Sequence, residues 1–278
     1  GKIGVSHSSA FVWAAMRTLP AYVLLLGLLP MLRRPLRPRA LGLTALVGLL
    51  QVSGFVGFSS AALVTAGAGH TGMLANTWQF LILILAWVVL GERLEGSQWL
   101  AVGLGIVGLV LIIEPWRMHG VVSSLFALAA AVCFAGGAVA VKVLRGRHRV
   151  DLLSFTAWQG FLGSLPLAVL AVLFPGDGVR WSSAFGWSLA YSILIGTALG
   201  ALLWLHVLDL VPANIAGLAN LATPVVGVLA AYLQLGERMS SAEIAGMVLV
   251  PLALAVLAGR GFARSRRTVV PVNSVRRD

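Results

Sequence analysis

Leu90-Gly91-Glu92-Arg93 recurs as Leu235-Gly236-Glu237-Arg238, 145 positions further along a chain of 278 residues. Each copy ends one apolar run and is followed by another. A repeat at half the chain length implies a duplicated unit. The surrounding composition says what kind: 59% of the residues are hydrophobic and 10% are charged, and mean hydropathy is +0.95. Soluble domains carry about 25% charged residues. A chain this apolar cannot cover a water-facing surface, so lipid is its solvent and the expected fold class is an all-α integral membrane protein.

The net charge of +11 does not point to nucleic acid, because the basic residues sit in short segments and no polar domain exists to carry a patch. The single Cys133 excludes an intramolecular disulfide and a Cys-rich metal site, and reads as a small buried hydrophobe. No cofactor motif is present. A cleavable signal peptide is not visible, and the chain begins with Gly1, which implies a processed or missing N-terminus.

A bilayer core needs about 20 apolar residues in a helix. Nine runs qualify, at 9–31, 41–65, 71–90, 97–113, 121–143, 152–174, 185–207, 214–235 and 241–259. Turn and charge signals separate them, as at Pro175-Gly176-Asp177-Gly178. Short joints make successive helices antiparallel neighbours. Arg33, Arg34, Arg37 and Arg39, then Lys142, Arg145, Arg147 and Arg149, then the tail after Gly259 all fall on one side of the membrane. The other side holds Lys2, Arg117, Arg180 and Arg238. The positive-inside rule places the richer side, and with it the C-terminus, in the cytoplasm of a multi-pass inner-membrane protein. The basic tail 260–278 reads as an anchor to anionic lipid or a docking site for a partner.

An offset of 145 pairs Gly72 with Gly217 and Gln79 with Pro224, and runs 9–31 with 152–174. Leu74-Ala75-Asn76 and Leu218-Ala219-Asn220 match with a one-residue slip. Run 121–143 then pairs with residues before the chain begins, and Gly1-Lys2-Ile3-Gly4 resembles the end of such a helix. The expectation is ten spans, five plus five, with the first missing or truncated. The first repeat is 1–118, the second 119–259. With five helices per repeat the second copy enters from the opposite face, an inverted repeat of a kind that places substrates near the midplane.

Pro224-Val225-Val226, the following Leu235-Gly236-Glu237-Arg238-Met239, a polar break and a Gly-rich last helix together resemble the EamA repeat of the drug/metabolite transporter (DMT) superfamily. Ala15-Met16-Arg17 is similar to that family's Arg-bearing second helix. The resemblance spans essentially the whole chain, in two copies, and implies transport of small metabolites through a central cavity. Two departures stand out: the first helix is absent, and Gln79 occupies a position where the family usually has proline.

The candidate substrate-binding residues are Asn76, Trp78, Gln79, Asn220, Thr223, Trp204, Gln51 and Arg17. Gln79 presents an amide inside a span, where an unmet polar group costs a few kcal/mol. It needs a partner helix, a water-filled cavity or a substrate. Asn220 and Thr223 lie in the counterpart region, where Pro224 frees a backbone carbonyl. Arg17 is either a clamp on backbone carbonyls or a cavity residue. Gln51, with Phe55 and Phe58 at helical spacing, and Trp204, near His206, read as packing or as cavity wall. His206 and Asp209 close a run near the cytoplasmic face, where a solvated histidine is the simpler account. Glu92-Arg93 and Glu237-Arg238 read as interfacial turns or as a gate. Glycines such as Gly103, Gly105, Gly136 and Gly137 serve close packing or sliding interfaces.

No acidic residue sits clearly at mid-depth, which favours facilitated diffusion over proton coupling. No Walker A loop supplies ATP, and no His-Glu-x-x-His pair supplies a metal. The sequence therefore predicts a non-enzymatic exporter of an amino acid-like or amphipathic compound, working by alternating access. The partners are the lipid bilayer and a small-molecule substrate. A homodimer is compatible with this reading. The alternatives are a membrane-embedded enzyme, which needs a convergent nucleophile or metal set, and a non-transporting scaffold subunit.

Overall fold

The computed structural model describes residues 1–36, 38, 40–91, 96–113, 121–148 and 150–210, and short stretches between 240 and 253. Backbone polar groups in lipid must be satisfied within each segment, so an apolar chain folds as helices. They are α1 (Lys2–His7), α2 (Ala10–Met31), α3 (Leu41–Gly48), α4 (Phe55–Thr65), α5 (Ala68–Ala75), α6 (Trp78–Leu90), α7 (Gly96–Ile113), α8 (Val121–Arg147), α9 (Leu152–Leu173), α10 (Ser183–Tyr191) and α11 (Gly200–Leu210). π-helical segments join α3 to α4 (Leu49–Gly54) and α10 to α11 (Ser192–Leu199). Among the described residues, six helical stretches are long and apolar enough to cross a membrane: Ala10–Met31, Leu41–Thr65, His70–Leu90, Val121–Arg147, Leu152–Leu173 and Ser183–Leu203. The expected run 214–235 and the second Leu-Gly-Glu-Arg turn lie outside the described residues. In the first turn, Gly91 ends α6 with φ 67° and its N–H donates to Trp87 O, a left-handed helix stop that glycine adopts without penalty.

Among the described helices, α2 and α9, one from each repeat, share the most extensive contact. They start alike. Ser9 accepts from Val12 N–H at the head of α2, and Asp151 accepts from Ser154 N–H at the head of α9. They run in opposite directions. Ser9 Oγ donates to Phe174 O at the far end of α9 (3.2 Å), while Arg34, beyond the end of α2, pairs with Asp151 at 2.9 Å. Counterpart helices that run antiparallel are the signature of an inverted repeat. The core follows the same axis. Leu25 and Leu29 pack with Leu153 and Ala157; Ala14, Ala15 and Val52 pack with Leu167; Val47 and Leu144 pack with Phe155.

The two π-helical segments occupy equivalent places, and the contacts are reciprocal: α9 lies on the first and α2 on the second. Close approach at the first needs glycine. A Cβ on Gly48 would stand 2.2 Å from Gln159 O, and one on Gly163 2.2 Å from Gly48 O. These segments also shift the register of the repeat. The helix-start caps of α2 and α9 are offset by 142, not 145. The second copy is longer in α10 (9 residues against 8 in α3) and in its π segment (8 against 6), which restores an offset of 145 beyond Leu199. Within α2 and α9 the true counterparts are therefore Trp13 with Phe155, Ala21 with Gly163, and Arg17 with Gln159.

Candidate functional site

Run 71–90, expected as one helix, is broken. α5 ends at Ala75, and α6 begins at Trp78. The cause is local. Asn76 Nδ2 donates to Gly72 O at 2.8 Å and Thr77 Oγ1 to Leu74 O at 2.6 Å. Side chains that bond nearby carbonyls compete with the helix ladder. The backbone tightens accordingly, with Thr77 N–H donating to Leu74 O and Phe80 N–H to Thr77 O. Gln79 thus stands in the first turn after a break. Its Nε2 is buried and has no hydrogen-bond partner.

Around the break the first repeat wraps α8. Trp78 and Phe55 both pack on Phe134, with ring centroids 4.6 and 4.9 Å apart respectively. Gln51, in the π-helical segment, lays its stem on Gly137, where an added Cβ would fall 2.4 Å from Gln51 Cγ. The structure thus brings Gln51 and Trp78 to one stretch of α8, with Gln79 next to Trp78 on α6 and Asn76 at the break itself. His70 Nε2 lies 3.2 Å from Ser124 Oγ, and Thr65 bonds Ser123, at the same end of α8. Of the second-repeat candidates, Trp204 belongs to α11, in a different part of the chain from this cluster. Asn220 and Thr223 lie outside the described residues.

Arg17 is apart from this group, on α2, and its Nε is also buried without a partner. Its counterpart Gln159 has the same property at Oε1. Sequence reading missed Gln159, as well as Ser59 and Thr71, whose hydroxyls are likewise buried and unpartnered. Gln159 was findable: like Gln51 and Gln79 it is an amide in an apolar run. Ser59 and Thr71 carry no such signal, since hydroxyls in helices ordinarily bond to their own backbone.

At the end that holds the Arg34–Asp151 pair there is a cavity of about 310 Å³, lined by both residues, by Leu153 and Leu202, and by His206. Arg33, Lys142, Arg145 and Arg147 belong to the helix ends on this side. At the opposite end Lys2 Nζ caps α4 through Leu63 O and Ala66 O (2.8 and 2.7 Å), and Arg180 reaches Ser6 O. A second cavity, about 270 Å³, is an apolar groove among Leu43, Leu50, Leu85, Val89 and Gly136.

Comparison with known proteins agrees with this architecture. The model of the EamA-like transporter family matches residues 1–114 and again 122–259. The chain is 26% identical to "Protein PecM" of Dickeya dadantii, over 93% of this chain and 86% of that protein. It is 26% identical to the "Probable amino-acid metabolite efflux pump" of Salmonella typhimurium, over 90% of this chain and 85% of that one. It is 25% identical to "Uncharacterized transporter YoaV" of Bacillus subtilis, over 74% and 71%. A crystal structure with 20% sequence identity superposes with a TM-score of 0.63, covering 97% of this chain and 93% of that one, a likeness of fold.

Proposed function

The chain belongs to the EamA-like transporter family, and from that premise we propose that it exports a small organic molecule, amino acid-like or amphipathic, by alternating access. The observation that carries this reading is the antiparallel pairing of α2 with α9, tied at both ends by Ser9–Phe174 and Arg34–Asp151. Two oppositely oriented halves give a path whose two mouths are related by symmetry, and such folds bind their cargo between the halves. The substrate site includes Gln79, Trp78, Asn76 and Gln51 from the first repeat and Asn220, Thr223 and Trp204 from the second. The unpartnered amide of Gln79 supports it, because an unmet polar group at membrane depth is retained where water or a ligand meets it. The repeats are 1–118 and 119–259, followed by a basic tail. The gathering of Arg33, Arg34, Lys142, Arg145 and Arg147 at one end supports a cytoplasmic location for that end in the inner membrane. Transport proceeds without a chemical step, and the relatives' names support that.

Counterflow tests the reading. Proteoliposomes holding the purified chain are loaded with unlabelled members of a metabolite panel and given labelled ones outside, at several pH values. Transient accumulation of at least one compound is expected. Its absence across the panel contradicts the proposal, and accumulation only against a pH gradient replaces facilitated diffusion with proton coupling.

A further inference from the structure

Arg17 carries a charge deep into the bundle, about 12 Å along the α2 axis from the Ser9 cap. Its Nε is buried, and among the described residues the guanidinium makes neither a hydrogen bond nor an ion pair. Lys2 shows what a clamp on backbone carbonyls looks like, with Nζ donating to Leu63 O and Ala66 O at 2.8 and 2.7 Å. Arg17 has no such bonds, so of its two readings from the sequence the clamp fails. Of the described acidic residues, Asp151 pairs with Arg34, Asp177 lies in the turn after α9 and Asp209 at the end of α11. Arginine does not shed its proton, and a buried charge without a counter-charge is strongly unfavourable.

The charge sits where the halves meet. On one side of it along α2, Ala14 and Ala15 pack with Leu167; on the other, Leu25 and Leu29 pack with Leu153 and Ala157. Tyr22 packs against both clusters, with its phenol within Coulombic reach of the guanidinium. Its ring lies on α9, where an added Cβ on Gly160 would stand 2.0 Å from two ring carbons. Arg17 and Tyr22 are both half-buried, so open space reaches each side chain.

We propose that Arg17 binds a carboxylate of the cargo at the contact between the repeats, beside Tyr22. The proposal rests on the transporter reading above and assigns the chemical class of its cargo. A guanidinium presents a fork of N–H donors that meets a carboxylate with two parallel hydrogen bonds. One cation balances one negative charge, which suits a monocarboxylate. A phosphate monoester carries about −1.5 to −2 at pH 7 and would bring an excess into the membrane.

The test uses the full chain in proteoliposomes with benzoate, hexanoate and leucine as carboxylates. Benzamide and tetraphenylphosphonium are the controls, and flux is counted above protein-free liposomes. Flux of a carboxylate is expected, with KM raised roughly tenfold or more by Arg17→Gln, one charge-assisted hydrogen bond lost. Arg17→Lys, which keeps the charge and loses the fork, is expected to raise it less. Flux of the controls alone, or carboxylate flux indifferent to Arg17→Gln, overturns the assignment and leaves transport standing. A second measurement needs no flux. In detergent, Arg17→Gln is expected to unfold at the same temperature as the parent chain or higher, and to lose the stabilisation that a carboxylate gives the parent. A lower midpoint for Arg17→Gln without ligand marks a charge paired inside the protein and overturns the proposal. Carboxylates that stabilise neither protein, or both alike, overturn it too. No flux of any probe contradicts the transport reading, and the carboxylate-dependent shift then decides the assignment by itself.

Discussion

Gly163→Ala is the sharpest probe of how the two halves meet. The added Cβ would lie 2.2 Å from Gly48 O, 2.5 Å from Gly48 C and 2.7 Å from Val52 Cβ. Unstrained carbon contacts need about 3.5 Å. The obstacle is backbone from the other repeat, which cannot rotate aside as a side chain can. The helices must part, and the hydrogen bond that Ser53 Oγ donates to Gly163 O weakens. Overpacking costs about 1–3 kcal/mol and the hydrogen bond about 1 kcal/mol. Alanine's helix propensity returns about 1 kcal/mol. The net is a destabilisation of about 1–3 kcal/mol, read by thermal unfolding in detergent. Gly27→Ala is the control: it lies on α2 with nothing within 4 Å of a new Cβ, so propensity alone acts and stability holds or rises by up to about 1 kcal/mol. If Gly163→Ala proves as stable as Gly27→Ala, the α9 contact with the first π-helical segment is wrong.

The remaining expectations concern single groups. Gln79→Leu removes a buried amide without a partner, so thermal stability is expected to hold or rise while counterflow falls; unchanged flux across the panel removes Gln79 from the site. Asp151→Ala loses a helix cap as well as an ion pair and is expected to cost about 1 kcal/mol, whereas Arg34→Ala, from a half-exposed side chain, costs about 0.5 kcal/mol or less. Equal losses in unfolding midpoint would show that the cap is not what Asp151 provides. A reporter fused to the C-terminus is expected to behave as cytoplasmic, fluorescent as a green fluorescent protein fusion and inactive as an alkaline phosphatase fusion; the reverse pattern inverts the assigned orientation.

Where apolar periodicity and punctuation act alone, sequence and structure coincide. The run 9–31 became Ala10–Met31, and 152–174 became Leu152–Leu173, each opened by a capping side chain. The turn at Gly176 and Gly178 has the positive φ angles, 64° and 83°, that its glycines permit. The register of the repeat was legible only in part. The Leu-Gly-Glu-Arg turns report an offset of 145, but the extra residues lie upstream of the second turn, in α10 and its π-helical segment, where no residue type marks them. For that reason Gln159 was not recognised as the counterpart of Arg17. The break at Asn76-Thr77 was hidden for a different reason: the apolar run continues past it, and the local bonds that tighten it, from Asn76 to Gly72 O and from Thr77 to Leu74 O, are of a kind that Asn and Thr also make inside unbroken helices. Partnerless hydroxyls at Ser59 and Thr71 are a tertiary property altogether.

The claim that matters most is that a polar site between inverted halves opens to each side of the membrane in turn. Cysteine accessibility at Gln79 tests it directly. Gln79→Cys in a Cys133→Ala background is exposed to an impermeant maleimide in right-side-out and in inside-out vesicles. Alternating access predicts labelling from both faces, slowed in each case by a transported compound. Labelling from neither face, or from one face only under every condition, contradicts it.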